Sequence, residues 1–191
     1  DHLYLKEHYP DIKLVLYQSY EECLLALLNN EVDAHVGSYG TTGYVISQRF
    51  ITNLNLSPPI EELSNYFYMG IRKDWPEFVR ILNNALRAIP ETTKQQIKNR
   101  WLTVAPTTNE SSQTPRINLT AQERAWLEDH HLIRVAAATR WAPVEFVNEK
   151  GEFEGISIEY LKRLSEMLGV EFQFKKDVTW QQAMGAVDSG E

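Results

Sequence analysis

The chain has 191 residues, 43% hydrophobic and 24% charged, with five Trp and nine Tyr; that is globular composition with room for one or two domains. Its formal net charge of −7 argues against a nucleic-acid backbone as partner, because phosphate contacts need a basic surface. No apolar run approaches the roughly 20 residues that cross a bilayer, and no signal peptide opens the chain, so any export or anchoring segments are expected outside it.

In chain order, Ile12 to Tyr17 (IKLVLY) predicts a β-branched-rich strand. Ser19 is placed to cap a helix on which Tyr20, Leu24, Leu27 and Leu28 recur at helical spacing. Cys23 falls on that apolar side as the single cysteine, so neither an internal disulfide nor a thiolate metal site can form. A buried structural thiol is the expectation. Asn29-Asn30 ends the helix, and Val32 to Val36 predicts another short strand. A helix opens at Asp74, with Pro76 and Glu77 in its first turn. Phe78, Ile81, Leu82, Ala85, Leu86 and Ile89 form its apolar face, and a further short helix carries Ile97 and Trp101.

Residues 105–118 (APTTNESSQTPRIN) hold no large apolar residue except Ile117, so they read as a linker between two domains. Order resumes at Thr120, whose spacing to Glu123 predicts a capping box. A strand over Ile133 to Ala138 follows, then a hairpin centred on Glu149-Lys150-Gly151, and a helix from Ser157 to Leu168 stopped by Gly169. Its buried face is expected to be Ile158, Leu161, Leu164, Met167 and Leu168, and Val170 to Phe174 is the next strand. Residues 19–31 align with 179–191: each copy has a hydroxyl cap, an aromatic, a helix with a central Ala, and a polar end closing on Glu. Repeated strand–helix units of this kind build a parallel α/β sheet. The second copy stops at Glu191, where a strand should start, so the second domain is expected to be truncated.

Catalytic and metal chemistry is not expected. His130 and His131 are adjacent and diverge on a helix, while His35 has no second His or Cys at ligand spacing. No Ser/His/Asp set, paired-carboxylate motif or phosphate-cradling Gly loop is present. No cofactor is expected.

These motifs carry a family resemblance. The run from Leu14 to Val36 resembles the late part of bacterial solute-binding proteins of the amino-acid-binding type, whose hallmark there reads SYEEAL-x-AL-x-x-G-x-VDA-x-V. Residues 66–101 resemble the close of the same domain, which implies a strand over YFYMGIRK, the helix after Asp74 and a terminal K-x-R-W-L element. Leu119 to Glu191, with LT-x-x-E-x-x-WL, IRVA, W-A-P-V-E-F, G-x-F-x-G-I-S-I-E-Y-L and TW-x-x-A, resembles the opening of a second copy. The lead-in is similar to that of tandem sensor modules preceding membrane-bound histidine kinases. The resemblance implies α/β, periplasmic-binding-protein-like (Venus flytrap) lobes. Residues 1–104 would be the C-terminal part of a first module, 105–118 a linker, and 119–191 the truncated N-terminal part of a second, with its first lobe over 132–191. Within these, residues 1 to about 38 would lie in the first module's second lobe and about 62–104 in its first.

The resemblance also implies site residues. The family's loop after VDA-x-V-x supplies an Asp to the ligand ammonium; here Ser38 stands there, after Gly37. Loss of that charge-assisted bond weakens recognition of an α-ammonium. Ser38, Tyr39 and Thr41 either hydrogen-bond a different small molecule or form the turn alone. The family places an aromatic before A-P as one wall of the cleft, and Trp141 matches it, in a ligand contact or an ordinary lobe contact. Val144 replaces the next aromatic. Arg140 reads as solvated, Glu145 as a strand-surface charge, and Asp33, Phe146 and Gly155 as structural. The function implied is an extracytoplasmic ligand-sensing region of a transmembrane receptor, with catalysis, if any, outside the segment. Its partner would be a small-molecule solute, and the full-length receptor is expected to be a membrane-anchored homodimer on the periplasmic side of the inner membrane. A transport-type binding protein, or a binding module fused to a periplasmic enzyme or cyclase, is the alternative.

Overall fold

The computed structural model describes residues 2–55, 57, 67–102, 117–176 and 178–190. Most of the expected linker (residues 105–116), together with Tyr66 and Glu191, lies outside them. The chain divides into two compact units, Asp1–Tyr66 and Phe67–Glu191.

The first unit holds α1 (His2–His8), α2 (Tyr20–Leu28) and α3 (Tyr39–Gln48). Ser19 caps α2 as expected, its side chain accepting from the Glu22 N–H, and Leu24 and Ala26 are its buried residues. Cys23 is only half-buried, which corrects the expectation of an enclosed thiol; burial, aided by the Glu22 charge, pushes its pKa up. The strands expected over Ile12–Tyr17 and Val32–Val36 are not formed. A strand is held by ladder bonds to a partner, and these segments have none among the described residues; Ile12, Val15 and Leu16 are exposed.

The second unit is α/β. It contains α4 (Pro76–Ala88), α5 (Glu91–Leu102), α6 (Ala121–Asp129), β1 (Leu132–Ala136), β2 (Arg140–Trp141), β3 (Glu145–Val147), β4 (Phe153–Glu154), α7 (Ile156–Leu168), β5 (Glu171–Lys175) and α8 (Trp180–Ser189). β1 and β5 pair in parallel, Leu132 opposite Glu171 through Ala136 opposite Lys175. β2, β3 and β4 form an antiparallel meander. Its hairpin turns on Asn148, whose side-chain oxygen accepts from the Lys150 and Glu152 N–H groups, both at 2.9 Å.

The core lies between α4, α6, α7 and the β1–β5 pair. Phe78, Ile81, Leu82, Ala85 and Ile89 of the α4 region meet Leu127, Ile133, Leu161, Leu164, Leu168 and Val170 in one buried cluster. The helical spacing read from the sequence thus identified both buried faces, with Leu86 and Met167 only partly buried at their margins. Residues 67–102 therefore share a core with 117–190, although the sequence resemblance divides them between two modules. The Thr120–Glu123 capping box is present. α4 departs from expectation: its N-cap is Trp75, without a side-chain bond, because Asp74 is drawn into a bidentate pair with Arg72 at 2.8 and 2.7 Å. Residues 67–72 form no strand, and Phe67 and Tyr68 are exposed.

Ring stacking at one end and a carboxylate at the other fix the flanks of this core. The Trp126 and His130 rings stack at 4.0 Å, with Trp75 edge-on to both at 5.2 Å. His130 closes α6, its Nδ1 lying 2.9 Å from the Trp126 carbonyl. At the other end, Glu159 of α7 holds the end of α5, accepting from Arg100 at 2.6 and 2.8 Å and from the Trp101 indole at 3.2 Å.

Candidate functional site

The parallel pair β1–β5 sets the first candidate region, because open α/β sheets bind ligands outside the carboxyl ends of their strands. A hollow of about 50 Å³ lies there, lined by Ala136, Ala137, Ala138, Val178, Thr179 and Ala183. The small side chains beyond β1 leave this space, and Thr179 closes the other side as the N-cap of α8. That cap is a neutral box: Gln182 accepts from the Thr179 N–H at 2.8 Å, and Thr179 Oγ accepts from the Gln182 N–H at 3.3 Å. A solute site usually spans some 300–1,000 Å³, and this hollow is well below that range.

Trp141 stands on β2, 38% exposed, outside the lining of the hollow. Its ring meets Phe67 edge-on at 5.0 Å, and it pairs across the meander with Glu145. Phe146, beside Glu145, turns to the other face and meets Trp101 edge-on at 5.7 Å, in keeping with a structural role. Gly155 is structural in the sense expected. It has φ +124, and a Cβ there would lie 2.5 Å from the Val144 carbonyl oxygen. This close approach lets the Pro143 and Val144 carbonyls accept from the Ile156 and Ser157 N–H groups at 2.9 Å, which satisfies the start of α7 without a side-chain cap.

Glu145 corrects the sequence reading. It is half-buried, not a surface charge, and its Oε1 accepts from the Ala138 N–H at 2.8 Å. Burial pushes its pKa up, and the Ala138 N–H draws it partly back. Only a carboxylate two residues after Pro143 hinted at this contact in the sequence.

The second candidate region lies in the first unit at the start of α3. Ser38 caps this helix, its Oγ accepting from the Thr41 N–H at 3.4 Å, while the Ser38 N–H donates to the Tyr20 hydroxyl at 3.2 Å. Thr41 is buried, and its hydroxyl has no partner among the described residues. Tyr39 is 53% exposed. Sequence reasoning missed His35, whose ring nitrogen lies 3.2 Å from Thr42 Oγ1 and whose ring meets Tyr20 edge-on at 5.5 Å. Burial lowers its pKa, favouring the neutral imidazole. The signal available was Gly37: a Cβ there would lie 2.7 Å from both the His35 ring and the Tyr20 ring.

Among the described residues no group of three or more His, Cys, Asp or Glu is placed to hold a metal ion. None of the described helices is long and apolar enough to cross a membrane.

The second unit is α/β, a parallel strand pair and an antiparallel meander packed with helices around one core. Residues 133–191 match the family of bacterial extracellular solute-binding proteins, family 3. Over 187 residues, 98% of the chain, the sequence is 26% identical to the virulence sensor protein BvgS of Bordetella bronchiseptica. It is 20% identical over 168 residues, 88% of the chain, to the sensor protein EvgS of Escherichia coli K12. The chain spans only 15% and 14% of these two relatives. The ABC transporter arginine-binding protein 1 of E. coli K12 is 31% identical over 105 residues, 51% of this chain and 42% of that protein. The crystal structure of the Bordetella pertussis BvgS periplasmic domain aligns with all of this chain and 36% of its own, at 23% identity and a TM-score of 0.44.

Proposed function

We propose that the chain is part of the extracytoplasmic ligand-sensing region of a bacterial transmembrane signalling receptor, a sensor histidine kinase. The observation that carries this reading is the run of similarity to the sensor BvgS over 98% of the chain. Residues 1–104 are the end of one Venus-flytrap module, 105–118 the linker, and 119–191 the N-terminal part of a second. Lobe closure on a small solute shifts a two-state receptor dimer, anchored in the inner membrane by other segments and facing the periplasm. The segment itself binds and does not catalyse. In the second module Trp141 is the aromatic wall beside the hollow at the ends of β1 and β5; in the first, Ser38, Tyr39 and Thr41 stand at a helix start as the candidate contacts, Thr41 with its hydroxyl buried.

Transport-type binding is the second reading, favoured by the 31% identity to an arginine-binding protein over half the chain. Two modules in tandem weigh against it, since a shuttle needs one clamp. The deciding experiment uses the full-length receptor in membrane vesicles and follows autophosphorylation against a panel of amino acids and organic acids. A solute-dependent change that Trp141→Ala removes supports sensing through the second cleft. Phosphorylation that no solute alters contradicts it.

A further inference from the structure

We propose that Glu145 is a positioning residue for the second cleft: its carboxylate holds the Ala138 amide, and with it the β1–β2 loop, in the conformation that walls the hollow. The proposal rests on the reading of that hollow as part of a solute cleft.

Three observations converge on it. Ala138 lies two residues beyond the end of β1, where the ladder to β5 has stopped at Ala136 opposite Lys175. Its N–H is instead taken by Glu145 Oε1 at 2.8 Å. Ala136, Ala137 and Ala138 are three of the six residues lining the hollow, so the group that fixes the Ala138 backbone also fixes that wall. Glu145 is also the direct cross-strand partner of Trp141, so one residue both bonds the wall of the hollow and neighbours the aromatic expected to cover it. The three Ala side chains cannot hold the loop themselves, having no polar atom and little surface. A bond from an N–H to a half-buried carboxylate is stronger than a neutral one. Closure of a second lobe on this wall would therefore meet a preset surface, with less ordering to do on binding.

The test is amide exchange on the 191-residue chain, with the Val135 amide of β1 as internal reference. In the native protein the Ala138 amide is expected to be protected although it lies beyond the ladder. Glu145→Ala should speed its exchange on the order of tenfold or more, leaving Val135 unchanged, and Glu145→Gln, which keeps an acceptor oxygen, should restore most of the protection. An Ala138 amide unprotected in the native protein overturns the proposal. So does equal acceleration of Ala138 and Val135 in both variants, which would make Glu145 a general stability residue. If Glu145→Ala does not fold, the native protection and the Gln variant still decide. Exchange is read without any solute, so a receptor that fails to respond to solutes would sink the functional reading and leave this result standing.

Discussion

Replacing Ile81 by Ala removes three carbon atoms from a side chain that is 0% exposed. Ile81 sits on α4 in the cluster that joins this helix to Leu127 of α6, Ile133 of β1 and Leu161 and Leu164 of α7. At about 0.8 kcal/mol per buried methylene the lost transfer free energy is about 2.4 kcal/mol. A residual void of roughly 50 Å³ adds about 1.2 kcal/mol at ~24 cal/mol per Å³. The sum, about 3.6 kcal/mol, is a large part of the 5–15 kcal/mol typical of a whole domain. For a unit of this size it corresponds to a drop of roughly 10–20 °C in the melting temperature. Near-UV circular dichroism is a suitable readout, because Trp75 and Trp126 pack beside Phe78 on the same helix. Val79→Ala, on the outer side of α4 at 39% exposure, should change stability by less than about 0.5 kcal/mol. Equal effects of the two substitutions would refute the assignment of α4 to the core of the second unit.

Glu145→Gln should alter the pH dependence of stability. A carboxyl whose pKa is raised in the fold binds more protons folded than unfolded, so its contribution falls as pH rises from the ordinary carboxyl value of 4.5 through the raised value. Denaturant midpoints across that window should decline less steeply in the Gln variant. His35, lowered by burial, acts in the opposite direction. Stability of the first unit should rise with pH through the window below the ordinary imidazole value of 6.5 and level off above it, and His35→Gln should flatten that rise in thermal melts. Gly155→Ala should cost more than about 2 kcal/mol, because it adds both an unfavourable positive φ and a Cβ overlapping the Val144 carbonyl; a chemical-denaturation curve matching the parent would contradict that geometry. Glu159→Ala should weaken the hold on Arg100 and Trp101, costing about 1–2 kcal/mol by the same assay.

The helices were legible because their signals are local. The spacing of Phe78, Ile81, Leu82 and Ala85, the Thr120–Glu123 box and Gly169 after Leu168 each act within a few residues, and the structure keeps all three. The strands over 12–17 and 32–36 were not legible in the same sense. Their composition suits a pleated surface, but a strand exists only against a partner, and composition does not name one. β1 and β5 did find each other, in parallel, with α7 in the connection. The sharing of α4 with the second unit is a long-range packing outcome, and no motif in residues 67–102 announces it. At the sites, resemblance pointed to Ser38 and Trp141, whereas Glu145 and His35 emerged only from geometry. A lone Glu on a strand and a lone His in a loop read alike whether solvated or buried. What distinguished them was the Ala138 amide in one case and the Tyr20 ring in the other.

The most direct test of a solute-binding role is thermal unfolding of the receptor's complete extracytoplasmic region against a panel of amino acids and organic acids. A solute present at 100 times its dissociation constant should add about 2.7 kcal/mol to the module that binds it. The expected result is a rise in the melting temperature of the second module with at least one solute, lost on Trp141→Ala. A rise that survives Trp141→Ala, or no rise with any solute in the panel, would contradict the account of the second cleft as the sensing site.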